Sequence, residues 1–223
     1  MNSCDNTQIA KPVKTRSYNS PRRQEQAAAT RRQVLLAAQT LFESKGYAAT
    51  TMAAIAEAAG VALKTVYVAF ETKSGVLRAL WHLLLRGDQE DVPVGERPWY
   101  REVVEEPDPE RMVRLTAKSS RIVKERAGAV MAVIRSAAPA DPDIAALWNQ
   151  IQSDFYDNQR GIVSALSKRK ALRRGLDIER ASDILWTLNH PDLWQLLVAE
   201  RGWSPAQWER WFAETVREQL LRD

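Results

Sequence analysis

The chain has 223 residues, of which 45% are apolar and 27% charged, a composition typical of a globular protein and not of a disordered one. No run of about 18 apolar residues is present, so we expect no membrane span. The one cysteine excludes an intrachain disulfide framework and a multi-cysteine zinc site. The basic N-terminus has no apolar segment typical of a secretory signal, so we expect a cytoplasmic protein.

The net charge of +4 is unevenly distributed along the chain. Residues 1–80 contain 11 basic and 5 acidic side chains, whereas residues 81–223 contain 21 basic and 23 acidic ones. A basic N-terminal part favours an anionic partner, although a solubilising tail has the same composition. Charge alone does not distinguish DNA, RNA and a membrane surface.

Residues 1–26 are polar and basic without apolar periodicity, and we predict that they form a disordered arm. After them, apolar side chains recur at spacings of three and four, which predicts helices. Thr51 and Thr72 are candidate N-caps, and Gly46 and Gly60 are natural helix ends. The approximate bounds of the four predicted helices in this part are 34–45, 52–58, 63–70 and 73–86.

Residues 87–108 break the helical pattern with several prolines and glycines, so we predict a connector. One short helical turn around Trp99 and Tyr100 is compatible with the pattern. Two later Asp-Pro pairs, which begin at Asp108 and Asp141, each predict an N-cap followed by proline at the first helical position.

The next predicted helix covers residues 178–199, and Pro191 should kink or split it. Gly202 should end it, and the sequence from Ser204 to Gln207 predicts a capping box for the last helix. We find no alternating run long enough for a strand and no internal repeat. The predicted fold class is therefore all-α.

The segment between Met52 and Glu71 has the features of a helix-turn-helix. This motif needs a small residue where its two helices touch, a glycine or similar residue in the turn, and apolar residues on the shared face. The residues that meet these requirements are Ile55, Ala56, Ala59, Gly60, Val61, Val66 and Phe70. Alanine-rich helical hairpins also occur as plain structure, but the basic arm upstream and the helix downstream favour nucleic-acid binding.

Many positions around this motif also match a known family. The matching residues are Ala37, Ala38, Leu41, Phe42, Glu43, Ser44, Lys45, Gly46, Tyr47, Thr50, Thr51, Met52, Ile55, Ala56, Gly60, Val61, Thr65, Val66, Tyr67, Phe70, Lys73 and Leu77. On these residues, the segment 31–85 resembles the N-terminal domain of TetR-type transcriptional regulators. The 138 residues after this segment have only a general likeness to the all-helical effector-binding and dimerisation domain of such regulators.

The second helix of the motif would lie in the major groove with its N-terminal residues on base edges. These residues are Ala62, Leu63, Lys64 and Thr65. Tyr67 and Lys73 resemble the phosphate-contacting residues of the family, and the hydroxyl of Thr51 can bind a phosphate. The two positions after Tyr67 often carry a polar or aromatic residue followed by histidine in the family, so Val68 and Ala69 depart from its pattern.

The second half of the chain is rich in aromatic side chains, and an apolar cavity with few polar groups is how small-molecule sites are built. The candidate ligand-binding residues are Trp99, Met131, Arg135, Trp148, Gln152, Phe155, Trp186 and His190. Each aromatic residue can also be ordinary core, and His190 can satisfy a backbone group at the Pro191 kink. The last two helices have wide apolar faces, with dimer-interface candidates Ile184, Leu188, Trp208, Trp211, Phe212 and Val216.

We therefore predict a disordered arm over 1–26, a helix-turn-helix domain over 27–75 whose linking helix continues to 86, and an effector-binding and dimerisation domain over 87–223. The predicted function is a dimeric repressor that a small apolar effector releases from a palindromic double-stranded DNA operator. A helical adaptor or ligand-binding protein without operator binding is the alternative. No phosphate loop, metal motif or catalytic signature is present, so we expect no enzyme activity, no cofactor and no bound metal.

Overall fold

The computed structural model of the chain describes residues 21–86 and 94–222. These residues form helices without any strand, apart from a single bridge between Leu172 and Leu221. The helices are α1 Pro21–Ala49, α2 Met52–Ala58, α3 Leu63–Phe70, α4 Lys73–Arg86, α5 Pro98–Glu105, α6 Pro109–Ala137, α7 Pro142–Lys168, α8 Ile178–Leu188, α9 Pro191–Trp194 and α10 Pro205–Leu220. The predicted all-α fold class is confirmed.

No single helix among the described residues is long and apolar enough to cross a membrane. Among the residues that the structure describes, one pair of helices, α2 and α3, passes on length and composition when the two are taken together, but it is bent by 113°.

The beginning of α1 differs from the prediction. Residues 21–26 were expected to belong to the disordered arm, but they are the first turns of α1. Pro21 suits the first position of a helix, and the glutamine, glutamate and alanine residues that follow have high helix propensity. The remaining arm residues, 1–20, lie outside the described part of the chain.

The predicted boundaries of the helix-turn-helix agree with the structure. At Gly46 the backbone φ is +76°, which breaks the helical path of α1 where its end was predicted. Thr51 caps α2 by accepting a hydrogen bond from the Ala54 amide. In the turn before α3, Gly60 has a φ of +63°, a left-handed conformation that glycine adopts without steric cost.

The apolar core has two parts. The first part joins α1–α4 to the C-terminal half of α6 and the N-terminal half of α7, through residues such as Ile134, Ile144 and Leu147. The second part joins α5, the other halves of α6 and α7, α8 and α10. We call residues 31–85 the reading head and residues 94–222 the body. The long helices α6 and α7 therefore contribute to the core of both.

Polar contacts reinforce this junction between the reading head and α7. The Tyr47 hydroxyl donates a hydrogen bond of 2.6 Å to Asp141 Oδ2, and Ser74 Oγ donates one of 3.0 Å to Asp143 Oδ2. Asp141 is also the N-cap of α7. The hydrogen bond from Tyr47 lowers the pKa of Asp141 below its ordinary value. The start of α7 is thus held directly on the end of α1 and the start of α4.

The helices of the body follow the predicted helix starts and ends with two differences. The connector contains the two-turn helix α5, where one turn was expected. Pro191 splits the helix predicted over 178–199 into α8 and α9, as expected. The second difference is that residues Gln195–Glu200 form a π-helix. The N-caps at Asp108 and Asp141 and the capping box between Ser204 and Gln207 are all present.

Three of the residues expected at a dimer interface are instead buried inside the chain itself. Trp208, Phe212 and Val216 are at most 1% exposed and belong to the second core. Trp208 stacks on Phe212 with 4.9 Å between ring centroids. These three residues cannot reach a partner, because the most apolar face of α10 packs on the other helices of the body. Ile184, Leu188 and Trp211 are half-buried and keep an accessible part.

The burial of Trp208 gives a stability prediction. Trp208→Ala should lower the free energy of unfolding by about 3–5 kcal/mol, because it leaves a cavity in the second core. Urea denaturation measures the change, with Leu196→Ala as the control. Leu196 is 47% exposed, so its truncation should cost less than about 1 kcal/mol. Equal losses for the two variants would contradict this placement of α10.

The junction gives a pH-dependent prediction. Asp141→Asn keeps an N-cap side chain but removes the charge that accepts the Tyr47 hydrogen bond, and should cost about 1 kcal/mol near neutral pH. Because the folded state lowers the pKa of Asp141, this contribution is present above 3.8, the ordinary value, and is lost as the pH falls below it. The difference in unfolding free energy between wild type and variant should therefore shrink on acidification.

The matched control is Asp177→Asn. Asp177 also caps a helix, by accepting from the Arg180 amide at 2.8 Å, but it lies outside the junction. Near neutral pH, Asp177→Asn should lower the free energy of unfolding by less than Asp141→Asn does. A loss as large as that of Asp141→Asn would show that capping, and not the contact with Tyr47, accounts for the effect.

Candidate functional site

The helix α3 presents one exposed and one buried face. Val66 and Phe70 pack into the first core. The predicted DNA-contacting residues Ala62, Leu63, Lys64, Thr65 and Tyr67 are all exposed on the structure, with Leu63 at 41% and Tyr67 at 48%. The first turns of α3 therefore project side chains of the types that read base edges and phosphates.

Two side chains of α1 hold the helix-turn-helix in place. Arg31 Nη1 donates a hydrogen bond of 2.5 Å to the Ala69 carbonyl near the end of α3, and its guanidinium lies 4.2 Å from the Phe70 ring centroid. Gln33 Nε2 donates to the Ala59 carbonyl at the end of α2 at 2.8 Å. These contacts satisfy helix-end carbonyls and fix the orientation of α2 and α3 on α1.

The two flanking candidates, Thr51 and Lys73, have different environments. Thr51 is exposed at the start of α2, where its side chain already serves as the N-cap. Lys73 Nζ donates to the Tyr47 carbonyl at 2.8 Å and lies 4.2 Å from the Tyr47 ring centroid, and the residue is half-buried. Its ammonium group thus stabilises the end of α1, and its other N–H groups remain for a phosphate.

Val68 and Ala69, where the sequence departs from the family pattern, differ in accessibility. Val68 is 77% exposed on the outer face of α3, whereas Ala69 is half-buried. Valine is an unusual residue on a solvated helix face. The methyl groups of Val68 can pack on a thymine methyl or a sugar. Val68 was not among the predicted contact residues.

A large cavity of about 760 Å³ lies in the body, between the middle parts of α6 and α7 and beside α4, α5 and the segment from Asn189 to Gln195. Six of the eight predicted ligand-binding residues line it, and these are Trp99, Met131, Arg135, Trp148, Gln152 and Phe155. Its wall also includes Trp81 and Ile151, which belong to the first core. The cavity and the reading head therefore share part of a wall.

Trp186 and His190, the other two candidates, do not line the cavity. Their rings contact each other edge to face with centroids 4.9 Å apart. His190 Nδ1 accepts a hydrogen bond of 3.3 Å from the Asp192 amide and so caps α9. Burial lowers the pKa of His190. The structure thus gives His190 the capping role at Pro191 that was the alternative interpretation.

The polar groups of the cavity lie in two places. At the edge of the cavity, Arg135 forms an ion pair with Asp192, and both side chains are more than a third exposed. The Nε2 atom of Gln152 is buried and has no hydrogen-bond partner among the described residues. Deeper in the protein, Lys124 is buried and contacts Asn189.

Lys124 was not among the residues predicted from the sequence. The signal was present, because Lys124 lies seven residues after Ala117 and three before Ala127, on the buried stripe of α6. A lysine on such a stripe is rare unless it has a partner or a function. Within residues 21–86 and 94–222, no three histidine, cysteine, aspartate or glutamate side chains lie together as a metal site would require.

Comparisons with known proteins found matches both to the reading head and to most of the chain. Residues 34–80 match the family model of the bacterial regulatory proteins of the tetR family. Over 176 residues the chain is 30% identical to the probable HTH-type transcriptional regulator ArpR of Pseudomonas putida, covering 72% of this chain and 77% of ArpR.

Two solved structures share the fold over most of the chain. NalD, the secondary repressor of the MexAB-OprM multidrug efflux pump in Pseudomonas aeruginosa, aligns with a TM-score of 0.67 and 22% identity over 89% of this chain and 99% of NalD. The SmeT–triclosan complex aligns with a TM-score of 0.68 and 20% identity over 87% of this chain and 93% of SmeT. With the reading head and these relatives together, the chain belongs to the tetR family of DNA-binding transcriptional regulators.

Proposed function

We propose that this regulator is a homodimeric repressor that binds a palindromic operator through α3 and leaves it when an apolar small molecule enters the cavity of the body. The observation that carries the proposal is the wall that the cavity shares with the reading head, formed by Trp81 and Ile151. An occupant at this wall would contact side chains that also pack in the core of the reading head.

The DNA half of the proposal is supported by the exposed face of α3. Lys64 would donate to guanine, Thr65 to a base or a phosphate, and Leu63 would pack on a thymine methyl. Tyr67, Thr51 and the remaining N–H groups of Lys73 would bind phosphates. The exposed arginines at the start of α1 add positive charge on the same domain, which favours association with DNA.

The effector half is supported by the size and lining of the cavity. A volume of about 760 Å³ lies within the range of small-molecule sites, and its walls combine aromatic and aliphatic side chains with a few polar groups. Trp99, Trp148 and Phe155 provide flat apolar surfaces, and Met131 can adapt to different shapes. SmeT, which has the same fold, forms a complex with triclosan, so triclosan is a suitable first probe.

Coupling between the two halves would pass through α7. Its N-terminus is bonded to the reading head at Tyr47 and Ser74, and its next turns line the cavity at Trp148 and Gln152. An effector that favours a different position of α7 would change the spacing of the two reading heads in the dimer and lower operator affinity by linkage.

Dimerisation is supported by the half-buried side chains of Ile184, Leu188 and Trp211, whose remaining apolar surface a partner subunit would cover. One α3 reads only a few base pairs, and a twofold-symmetric pair reads two half-sites. The alternative function is a ligand-binding or adaptor protein without operator binding, and the next experiment separates the two.

The DNA half predicts a specific effect of Lys64→Ala. The operator is first enriched from a randomised duplex pool with the wild-type protein, and affinity is then measured by fluorescence anisotropy at several salt concentrations. Loss of a base contact should weaken operator binding by about 1–3 kcal/mol and relax the sequence preference. For the wild type, the logarithm of affinity should fall linearly with the logarithm of salt concentration.

Lys118→Ala is the matched control, since Lys118 is exposed on α6, and it should bind like the wild type. If the wild type enriches no sequence from the pool, the adaptor alternative holds. If Lys64→Ala binds the enriched operator as the wild type does, α3 does not read bases through this residue.

The coupling predicts that Tyr47→Phe reduces the response to an effector. The variant loses the Tyr47–Asp141 hydrogen bond, one of the two that join the reading head to α7, and keeps the cavity unchanged. Triclosan should bind the variant with wild-type affinity. The factor by which triclosan lowers operator affinity should be smaller than in the wild type, by about threefold or more. Such a reduction is part of the coupling free energy of about 1–3 kcal/mol that is typical of coupled sites. Isothermal titration calorimetry and anisotropy measure the two quantities.

The control for this experiment is Tyr156→Phe. Tyr156 also donates a hydrogen bond to an aspartate, Asp183 Oδ1 at 3.1 Å, but that contact joins α7 to α8 and not to the reading head. It should leave the response intact. An undiminished response of Tyr47→Phe would exclude the Tyr47–Asp141 contact from the coupling.

A further inference from the structure

The buried lysine of α6 is the least explained group of the cavity. Lys124 is 8% exposed and lines the cavity from the middle of α6. No carboxylate within residues 21–86 and 94–222 forms an ion pair with it. Removing an ammonium group from water costs free energy unless an opposite charge compensates for it. Lys124 has no such counter-ion among the described residues.

The groups that do contact Lys124 are neutral. Its Nζ donates a hydrogen bond of 2.5 Å to Asn189 Oδ1 and lies 4.8 Å from the Trp208 ring centroid. Asn189 in turn donates to Ser120 Oγ at 3.0 Å and to Gln159 Oε1 at 3.1 Å. These bonds orient Asn189 so that its carbonyl oxygen faces the lysine. They place the lysine precisely but leave its charge without compensation.

Burial lowers the pKa of Lys124 to about 7. The ammonium group is therefore held at the boundary between its charged and neutral forms. A neighbouring anion would stabilise the charged form, so binding such an anion would return the pKa towards its ordinary range.

The acidic groups of the cavity do not compensate for this charge. Asp192 is engaged by Arg135 at the edge, and Asp154 accepts a hydrogen bond from Gln150 and is exposed. Asp157 is exposed as well. The negative charges thus lie near solvent and the unpaired positive charge lies inside, which favours an anionic group in the interior and disfavours a cationic one.

We propose that the effector of this protein is an apolar organic anion, with a single carboxylate or phenolate that binds Lys124 and an apolar body that fills the aromatic part of the cavity. This inference rests on the proposed function of the cavity and specifies its ligand class. Ser120 and the buried Nε2 of Gln152 are further hydrogen-bond donors on the same lining. Trp99, Trp148 and Phe155 would contact the apolar body.

The test compares two pairs of ligands, in each of which a carboxylate is replaced by a neutral amide of nearly the same size and shape. Dodecanoate is paired with dodecanamide, and naphthalene-1-acetate with naphthalene-1-acetamide, and each is titrated into the full-length dimer by isothermal titration calorimetry. In the wild type, each acid should bind about tenfold more tightly than its amide, a difference of about 1.4 kcal/mol. In Lys124→Met, the acid should lose this advantage while amide affinity changes less than about twofold.

A second variant tests the same point with the lysine in place. Asn189→Asp puts a carboxylate where Asn189 Oδ1 now lies, 2.5 Å from Lys124 Nζ, and so provides an internal counter-ion. The preference for acid over amide should disappear in this variant too, even if Lys124→Met fails to fold. The control Lys118→Met removes an exposed lysine from the same helix and should keep the wild-type preference.

Operator release is measured in parallel by anisotropy, so that the two proposals fail separately. If acids and amides bind equally to the wild type and both release the operator, the anion inference is overturned and the effector cavity stands. Persistence of the acid preference in both Lys124→Met and Asn189→Asp also overturns it. If neither pair binds or changes operator affinity, the inference and the proposed effector cavity fail together.

Discussion

The reading head shares its apolar core with the two long helices of the body. Its helices α1–α4 pack against the C-terminal half of α6 and the N-terminal half of α7, with Ile134, Ile144 and Leu147 fully or almost fully buried at this contact. Protein interiors are densely packed, so a shift of either long helix cannot be absorbed without movement of the residues against it. The position of α3 therefore depends on the positions of α6 and α7.

The same two helices form the main walls of the cavity. Lys124 and Met131 line it from α6, and Trp148 and Phe155 line it from α7. Trp81 and Ile151 contribute both to the cavity wall and to the core of the reading head. A ligand that separates or rotates the long helices would thus act on the reading head through side chains already in contact, and the junction at Tyr47 and Asp141 would transmit the movement of α7.

The features that sequence analysis predicted well are those set by local physics. Gly46, Thr51 and the capping box at Ser204 terminate or begin helices through their own backbone and side-chain chemistry, and each lies where it was expected. The exposed side of α3 followed from Val66 and Phe70, which are four residues apart and mark the buried side of the helix. Six of the eight expected cavity residues line the cavity, because an aromatic or polar side chain on a buried helix face often borders a space.

The features that it missed depend on the relative rotation of distant helices. Whether Trp208 and Phe212 face a partner or the body cannot be read from α10 alone, since both alternatives bury an apolar face. His190 and Lys124 also depend on the packing of distant helices, and the sequence led to a wrong prediction for one and to no prediction for the other. The histidine was expected in the cavity but caps α9. The lysine interrupts an apolar stripe and was overlooked, and its cavity position follows only from the packing of α6 against α7 and α10.

The most direct test is the distance between the two reading heads of the proposed dimer in solution. The chain has a single cysteine, Cys4, and Glu43 is exposed on α1, away from the DNA-contacting residues of α3. A Cys4→Ser, Glu43→Cys variant would therefore carry one spin label on the reading head of each subunit, and pulsed electron–electron double resonance would give their separation. Saturating ligand should move the distance distribution away from that of the operator-bound dimer. A distribution that is the same with and without bound ligand would contradict the proposed link between the cavity and the reading head.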